Sequence, residues 1–191
     1  LISVDKVHAI IGELCSGATL AAAPIAEENK IVMVSPASTS PEITNAGDYI
    51  FRTVPSDTLQ GDFGANLVEE MGYEKLAILY SNEDYGLGFS KVLQEKFFGE
   101  VVANEPFERG STDLRAQITK IKNSGADAVY IISNSPDSAV AALKQLKQLN
   151  VKAQIFGSEG LKSDDIIEGA GSASDGMILT SVSSGIVPFF R

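Results

Sequence analysis

The chain has 191 residues, 44% of them hydrophobic and 21% charged, the balance of a globular protein rather than a disordered one. Its formal net charge of −10 excludes the clustered basic face that a nucleic-acid backbone requires, and Lys144, Lys147 and Lys152 come closest to one. No apolar run reaches the length of a bilayer span, and the single cysteine, Cys15, permits no internal disulfide.

Short β-branched runs alternate with segments of helical period from one end to the other. Val7–Ile11 reads as a strand, Ala18–Glu28 as a helix, and Ile31–Val34 and Tyr49–Thr53 as two further strands. Helix Gln60–Met71, strand Leu76–Tyr80, helix Gly88–Phe97 and strand Val101–Phe107 follow. Leu114, Ile118 and Ile121 then recur at helical spacing within Leu114–Asn123. Ser111-Thr112-Asp113 offers caps ahead of that helix, and Gly125 suits the left-handed residue after it. Strand Ala128–Ile132, helix Asp137–Leu149 with Pro136 in its first turn, strand Gln154–Phe156, a short helix Asp164–Glu168 and strand Met177–Thr180 complete the order.

This alternation predicts an α/β fold with mostly parallel sheets covered on both faces, and the wholly apolar run 128–132 fits such burial. A boundary is expected near Pro55-Ser56-Asp57-Thr58. Residues 1–57 are too few for a doubly wound domain by themselves, whereas the following segment has a common domain size.

Catalytic chemistry finds little support. His8 is the only histidine and falls in a strand pattern, so neither a His-based triad nor a His pair for a metal can be assembled. Cys15 lacks a second histidine to activate it. Gly169-Ala170-Gly171 comes late and without a long helix after it, which reads as a turn rather than a dinucleotide loop. No catalytic residue, cofactor or metal is predicted.

Hydroxyl-rich loops placed just after strands stand out instead. Glu13-Leu14-Cys15-Ser16-Gly17 follows the first strand and Ser35-Pro36-Ala37-Ser38-Thr39-Ser40-Pro41 the second. Ligands of open α/β sheets bind beyond the carboxyl ends of the strands, and helix-start amides with Ser and Thr hydroxyls cradle a carboxylate. Asn82-Glu83-Asp84-Tyr85-Gly86 supplies an aromatic wall and Gly157-Ser158-Glu159-Gly160 a carboxylate. Together these are what a zwitterionic amino acid needs.

Ile11-Gly12-Glu13-Leu14-Cys15-Ser16-Gly17, Ser35-Pro36-Ala37-Ser38-Thr39-Ser40-Pro41-Glu42, Phe51-Arg52-Thr53, Asp84-Tyr85-Gly86 and Gly157-Ser158-Glu159-Gly160 also arrive in a familiar order and spacing. The chain resembles the leucine/isoleucine/valine-binding proteins of bacterial ABC importers over nearly its whole length. The resemblance implies a two-lobed type I periplasmic-binding-protein fold with the ligand in the cleft between lobes that close on a hinge. It implies that Ser16, Ala37, Ser38 and Thr39 hold the α-carboxylate and orient the amino group, with Tyr85 and Glu159 on the second lobe and Glu159 pairing with the ammonium. Asn134 falls where leucine-type binders often carry an aromatic residue, which admits a more polar or larger ligand. Cys15 matches a cysteine that some members pair with one in a preceding segment.

The family is about twice this length, so residues 1–57 are expected to be a fragment of an incomplete lobe one, residues 58–181 lobe two, and 182–191 the start of a return crossing. The resemblance further implies an extracytoplasmic, periplasmic or lipid-anchored protein, a small amino-acid ligand, permease subunits as partners, and no enzymatic activity. An amino-acid or amide sensor of the same fold is the alternative, and an α/β enzyme a more distant one. Sheet edges lacking their neighbours lead to an expectation of self-association in the isolated chain.

Overall fold

A computed structural model of the chain describes residues 1–182. Residues 9–52 build a parallel sheet of three strands, β1 (Ala9–Ile11), β2 (Val32–Ser35) and β3 (Ile50–Arg52), in that order. The register sets Ile11 opposite Val34, and Val34 opposite Phe51. A short helix α1 (Ile2–Asp5), unforeseen in the sequence, precedes it, and α2 (Ser16–Glu28) crosses from β1 to β2. Ala23 and Ala26 of α2 pack on Met33 and Ile50 with Ile43, from the 3₁₀ turn Pro41–Asn45, closing a small core on one face.

A second parallel sheet holds β4 (Lys75–Ser81), β5 (Glu100–Phe107), β6 (Ala128–Ile132), β7 (Gln154–Gly157) and β8 (Ile178–Leu179), in the spatial order β5-β4-β6-β7-β8. Helices α3 (Asp57–Glu70) and α4 (Asp84–Lys96) cover one face, where Ile78, Tyr130 and Ile132 meet Val68, Phe89 and Leu93. Helices α5 (Arg115–Ser124), α6 (Pro136–Gln148) and α7 (Asp164–Ala170) cover the other, where Leu79, Val129 and Ile131 meet Ile118, Leu143 and Ile166. Alternate residues of β6 therefore serve opposite cores, each large side chain contributing about 1.5–3 kcal/mol by burial. Pro106 is tolerated because β5 is an edge strand.

The strands fall close to their predicted places, but α2, α3, α4 and α6 begin earlier than predicted. Helix α3 starts at Asp57 because the Ser56 hydroxyl caps it, accepting from the Thr58 N–H at 3.3 Å. Asp84, Tyr85 and Gly86, expected in a loop, form the first turn of α4, and Ser16 is the first residue of α2. Polar first-turn residues escape a search for apolar periodicity. The expected cap of α5 also shifts. Leu114 holds the cap position, while Asp113 accepts from the Arg115 N–H at 3.3 Å and from its guanidinium at 2.7 and 2.6 Å. Gly125 does take the left-handed conformation, φ 74°, and Pro136 does open α6. His8 lies in an exposed bend ahead of β1 rather than within a strand. Of the expected return segment 182–191, only Val182 lies within the described residues.

Candidate functional site

Loops from the carboxyl ends of both sheets surround one cavity of about 140 Å³. Leu14, Cys15 and Ser16 reach it from β1, and Ala37 and Thr39 from β2. Tyr85 follows β4, Arg109 follows β5, Asn134 follows β6 and Glu159 follows β7. In the second sheet the strand order reverses between β4 and β6, so Tyr85 and Asn134 stand at the topological switch point, where such sheets form crevices.

On the side of the first sheet the cavity meets the start of α2. Cys15 is the cap residue and gives no side-chain acceptor to the first turn, so a helix N-terminus with its positive field adjoins the cavity. Hydrogen bonds between loops hold this wall. The Ser35 hydroxyl donates to the Glu13 carbonyl at 2.5 Å and accepts from the Ser38 N–H at 2.9 Å. Ser38 Oγ and Thr19 Oγ1 share a bond of 2.8 Å, and Ser16 Oγ accepts from the Ser40 N–H at 3.2 Å. Arg52 donates to the carbonyls of Thr39 and Ser40 at 3.2 and 2.7 Å. Ser38 thus braces the two loops from behind and does not line the cavity. The other six residues predicted for the site, Ser16, Ala37, Thr39, Tyr85, Asn134 and Glu159, all do.

The opposite wall is acidic and aromatic. Glu159 begins a 3₁₀ turn after β7, and Gln60 Nε2 donates to its Oε2 at 2.6 Å and to the Thr180 carbonyl at 3.0 Å. A Cβ on Gly160 would stand 2.1 Å from the Ser133 carbonyl oxygen, so only glycine lets this turn close on the loop carrying Asn134. Burial raises the Glu159 pKa above its ordinary value, against the hydrogen bonds that favour its charge. Tyr85 ends a row of aromatic contacts running through Phe89, Tyr130 and Phe156 to Tyr73, with centroids 5.7–6.3 Å apart. That packing fixes its ring, and its buried hydroxyl makes no hydrogen bond of good geometry, although the Ser158 and Glu159 side chains lie beside it.

Two residues at or behind the cavity wall escaped the sequence reading. Asp57, taken for part of a boundary, is fully buried behind Thr39, whose carbonyl accepts its N–H at 2.8 Å. Neither of its carboxylate oxygens has a partner of good geometry. Burial first, and Glu159 second, push its pKa up to about 8, with the Thr39 hydroxyl and Arg52 opposing more weakly. Arg109 lines the cavity from the loop after β5. Both residues follow strands at their carboxyl ends, the same signal that singled out the other loops. Among the described residues no cluster of three or more His, Cys, Asp or Glu could hold a metal ion, and no helix is long and apolar enough to cross a membrane.

A family of proteins described as periplasmic binding proteins matches residues 1–183. The chain belongs to the periplasmic binding protein family. Relatives within it include the leucine-, isoleucine-, valine-, threonine- and alanine-binding protein of Pseudomonas aeruginosa, 34% identical over 92% of this chain and 48% of that protein. The leucine-specific-binding protein of Salmonella typhimurium is 31% identical over 92% and 49%. The crystal structure of a leucine binding protein from Thermotoga maritima superposes with a TM-score of 0.87 and 32% identity, covering 94% of this chain and 52% of that one. A branched-chain amino acid transporter substrate binding protein from Streptococcus pneumoniae, solved with isoleucine, gives 0.84 and 29% over 98% and 55%. This periplasmic binding protein chain therefore has the expected type I fold, and it spans about half the length of the curated relatives it matches.

Proposed function

We propose that the chain is part of an extracytoplasmic solute-binding protein that captures a small amino acid, branched-chain or of similar size, for the permease subunits of an ABC importer. In this reading residues 1–57 belong to one lobe and 58–181 to the other, and the ligand is enclosed as the lobes close. The observation that carries it is the polarity of this cavity. A helix start with Ser16 and Thr39 offers donors to a carboxylate on one wall, and half-buried Glu159 with Tyr85 offers acceptors to an ammonium on the other. The names of the relatives, which bind leucine, isoleucine, valine, threonine and alanine, support the same ligand class. The relatives are named as binding proteins, which supports binding rather than turnover. The family match supports a location outside the cytoplasm, in this reading the periplasm or the outer face of the membrane.

Calorimetry of the full-length protein against the twenty amino acids tests this. At least one should bind, and Glu159→Gln should weaken it tenfold or more, about 1.4 kcal/mol, because the ammonium loses its countercharge. Wild-type affinity in that variant would remove Glu159 from the ammonium site.

A further inference from the structure

Arg109 is the one cationic side chain on the cavity wall, and it is solvent-exposed there. Among the described residues it takes part in no ion pair and no side-chain hydrogen bond, whereas Arg52 clamps two carbonyls and Arg115 pairs with Asp113. Its position is held by the next residue. The Gly110 N–H donates at 3.0 Å to the hydroxyl of Ser138, a buried residue in the first turn of α6, just after the loop that carries Asn134. Asn134 in turn has its side-chain oxygen buried without a partner. The Ser133 hydroxyl accepts from the Ser135 N–H at 3.1 Å, tying the flanking backbone so that the turn cannot readily rearrange.

The strand order sets Arg109 apart from the ammonium end, with Asn134 between the two. Arg109 follows β5, Asn134 follows β6 and Glu159 follows β7 in the order β5-β4-β6-β7, and all three side chains reach the same cavity of about 140 Å³. A ligand ammonium at Glu159 therefore leaves Arg109 facing a different part of the same molecule, with Asn134 within reach of the stretch between them. From this we infer that Arg109 and Asn134 form a distal polar subsite, and that the ligand is an amino acid whose side chain ends in a carboxylate or a carboxamide. The inference rests on the amino-acid reading given above. A guanidinium presents a planar fork of donors to such an oxygen, and Asn134 can both donate to it and accept from an amide N–H. An aliphatic side chain would desolvate both groups and pair with neither, which is how a hydrogen-bonding site rejects an apolar analogue. Leu14, Cys15 and Ala37 supply only a narrow apolar strip, suited to the methylene stem of such a side chain.

The test is calorimetry of the full-length protein and its Arg109→Met variant with glutamate, glutamine, aspartate and asparagine, with leucine, isoleucine and valine, and with alanine, which lacks a distal group. The wild type should prefer a member of the first set over all three branched-chain amino acids by about tenfold or more. Arg109→Met should lose a similar factor for that ligand and leave alanine within about twofold. Preference for glutamate over glutamine assigns the dominant contact to Arg109, and the reverse assigns it to Asn134; either supports the subsite. Tighter binding of leucine, isoleucine or valine, or equal loss for alanine and the polar ligand in the variant, overturns the subsite while amino-acid capture stands. Binding of no amino acid overturns both.

Discussion

Strand β6 is buried at every position from Ala128 to Ile132, while β1 leaves Ile11 87% accessible and β3 leaves Phe51 at 50%. Both sheets are parallel and both are built from apolar β-branched residues, so strand propensity does not account for the contrast. The covers do. The five-stranded sheet has helices on both faces and two separate cores, and the three-stranded sheet has a described cover on one face only, by α2 and the 3₁₀ turn. The two regions also hold their cavity residues differently. Tyr85 is fixed by aromatic packing, whereas Ser16, Ala37 and Thr39 sit in loops tied by the hydroxyls of Ser35, Ser38 and Thr19. A wall made by packing and a wall made by hydrogen bonds should respond to different substitutions.

The largest expected effect lies in the second sheet. Ile131→Ala removes fully buried methyl groups between strands and helices and should cost about 2–5 kcal/mol of stability, read from the denaturant midpoint. A cost near zero would mean that this core is not closed as described. On the hydrogen-bonded wall, Thr39→Val keeps the volume and removes a donor. It should cost about 1.5–3 kcal/mol of amino-acid binding in the full-length protein, and much less for the matching amine that has no carboxylate. Equal discrimination between acid and amine by mutant and wild type would take Thr39 out of the carboxylate site.

Asp57 probes the junction of the two regions through pH. Its carboxyl stays protonated in the native state up to about 8 but ionises from 3.8 in the unfolded chain, so the native state binds more protons in between. Its contribution is present in full below about pH 4 and is lost as pH rises toward 8. Glu159, also raised, adds a slope of the same sign. Asp57→Asn should therefore flatten, without abolishing, the fall in denaturant midpoint between pH 5 and pH 8; an unaltered slope would mean that the carboxyl is solvated. The smallest effect is expected at the open face, where Ile11→Ala should change the stability of the 191-residue chain by no more than about 0.5 kcal/mol. A loss there approaching that of Ile131→Ala would erase the contrast between the sheets.

Much of this was legible along the chain. Ala128–Ile132 falls residue for residue where its apolar run predicts, because a doubly covered strand must be apolar at consecutive positions. The loops bearing Ser16, Ala37, Thr39, Tyr85 and Glu159 were legible because each follows a strand at its carboxyl end, whereas Asn134 was legible only through the family resemblance. The tertiary structure alone decided that Ser38 braces rather than lines, that Asp57 is buried, and that Arg109 reaches the same cavity as Glu159. Local sequence patterns report what neighbouring residues prefer. The environment of Asp57 comes from Thr39 on one loop and Glu159 on another, and that of Arg109 from the Gly110–Ser138 bond that draws its loop against α6. Burial, protonation and pairing at these positions are set by groups far apart in the chain, and only packing of the two sheets brings them together.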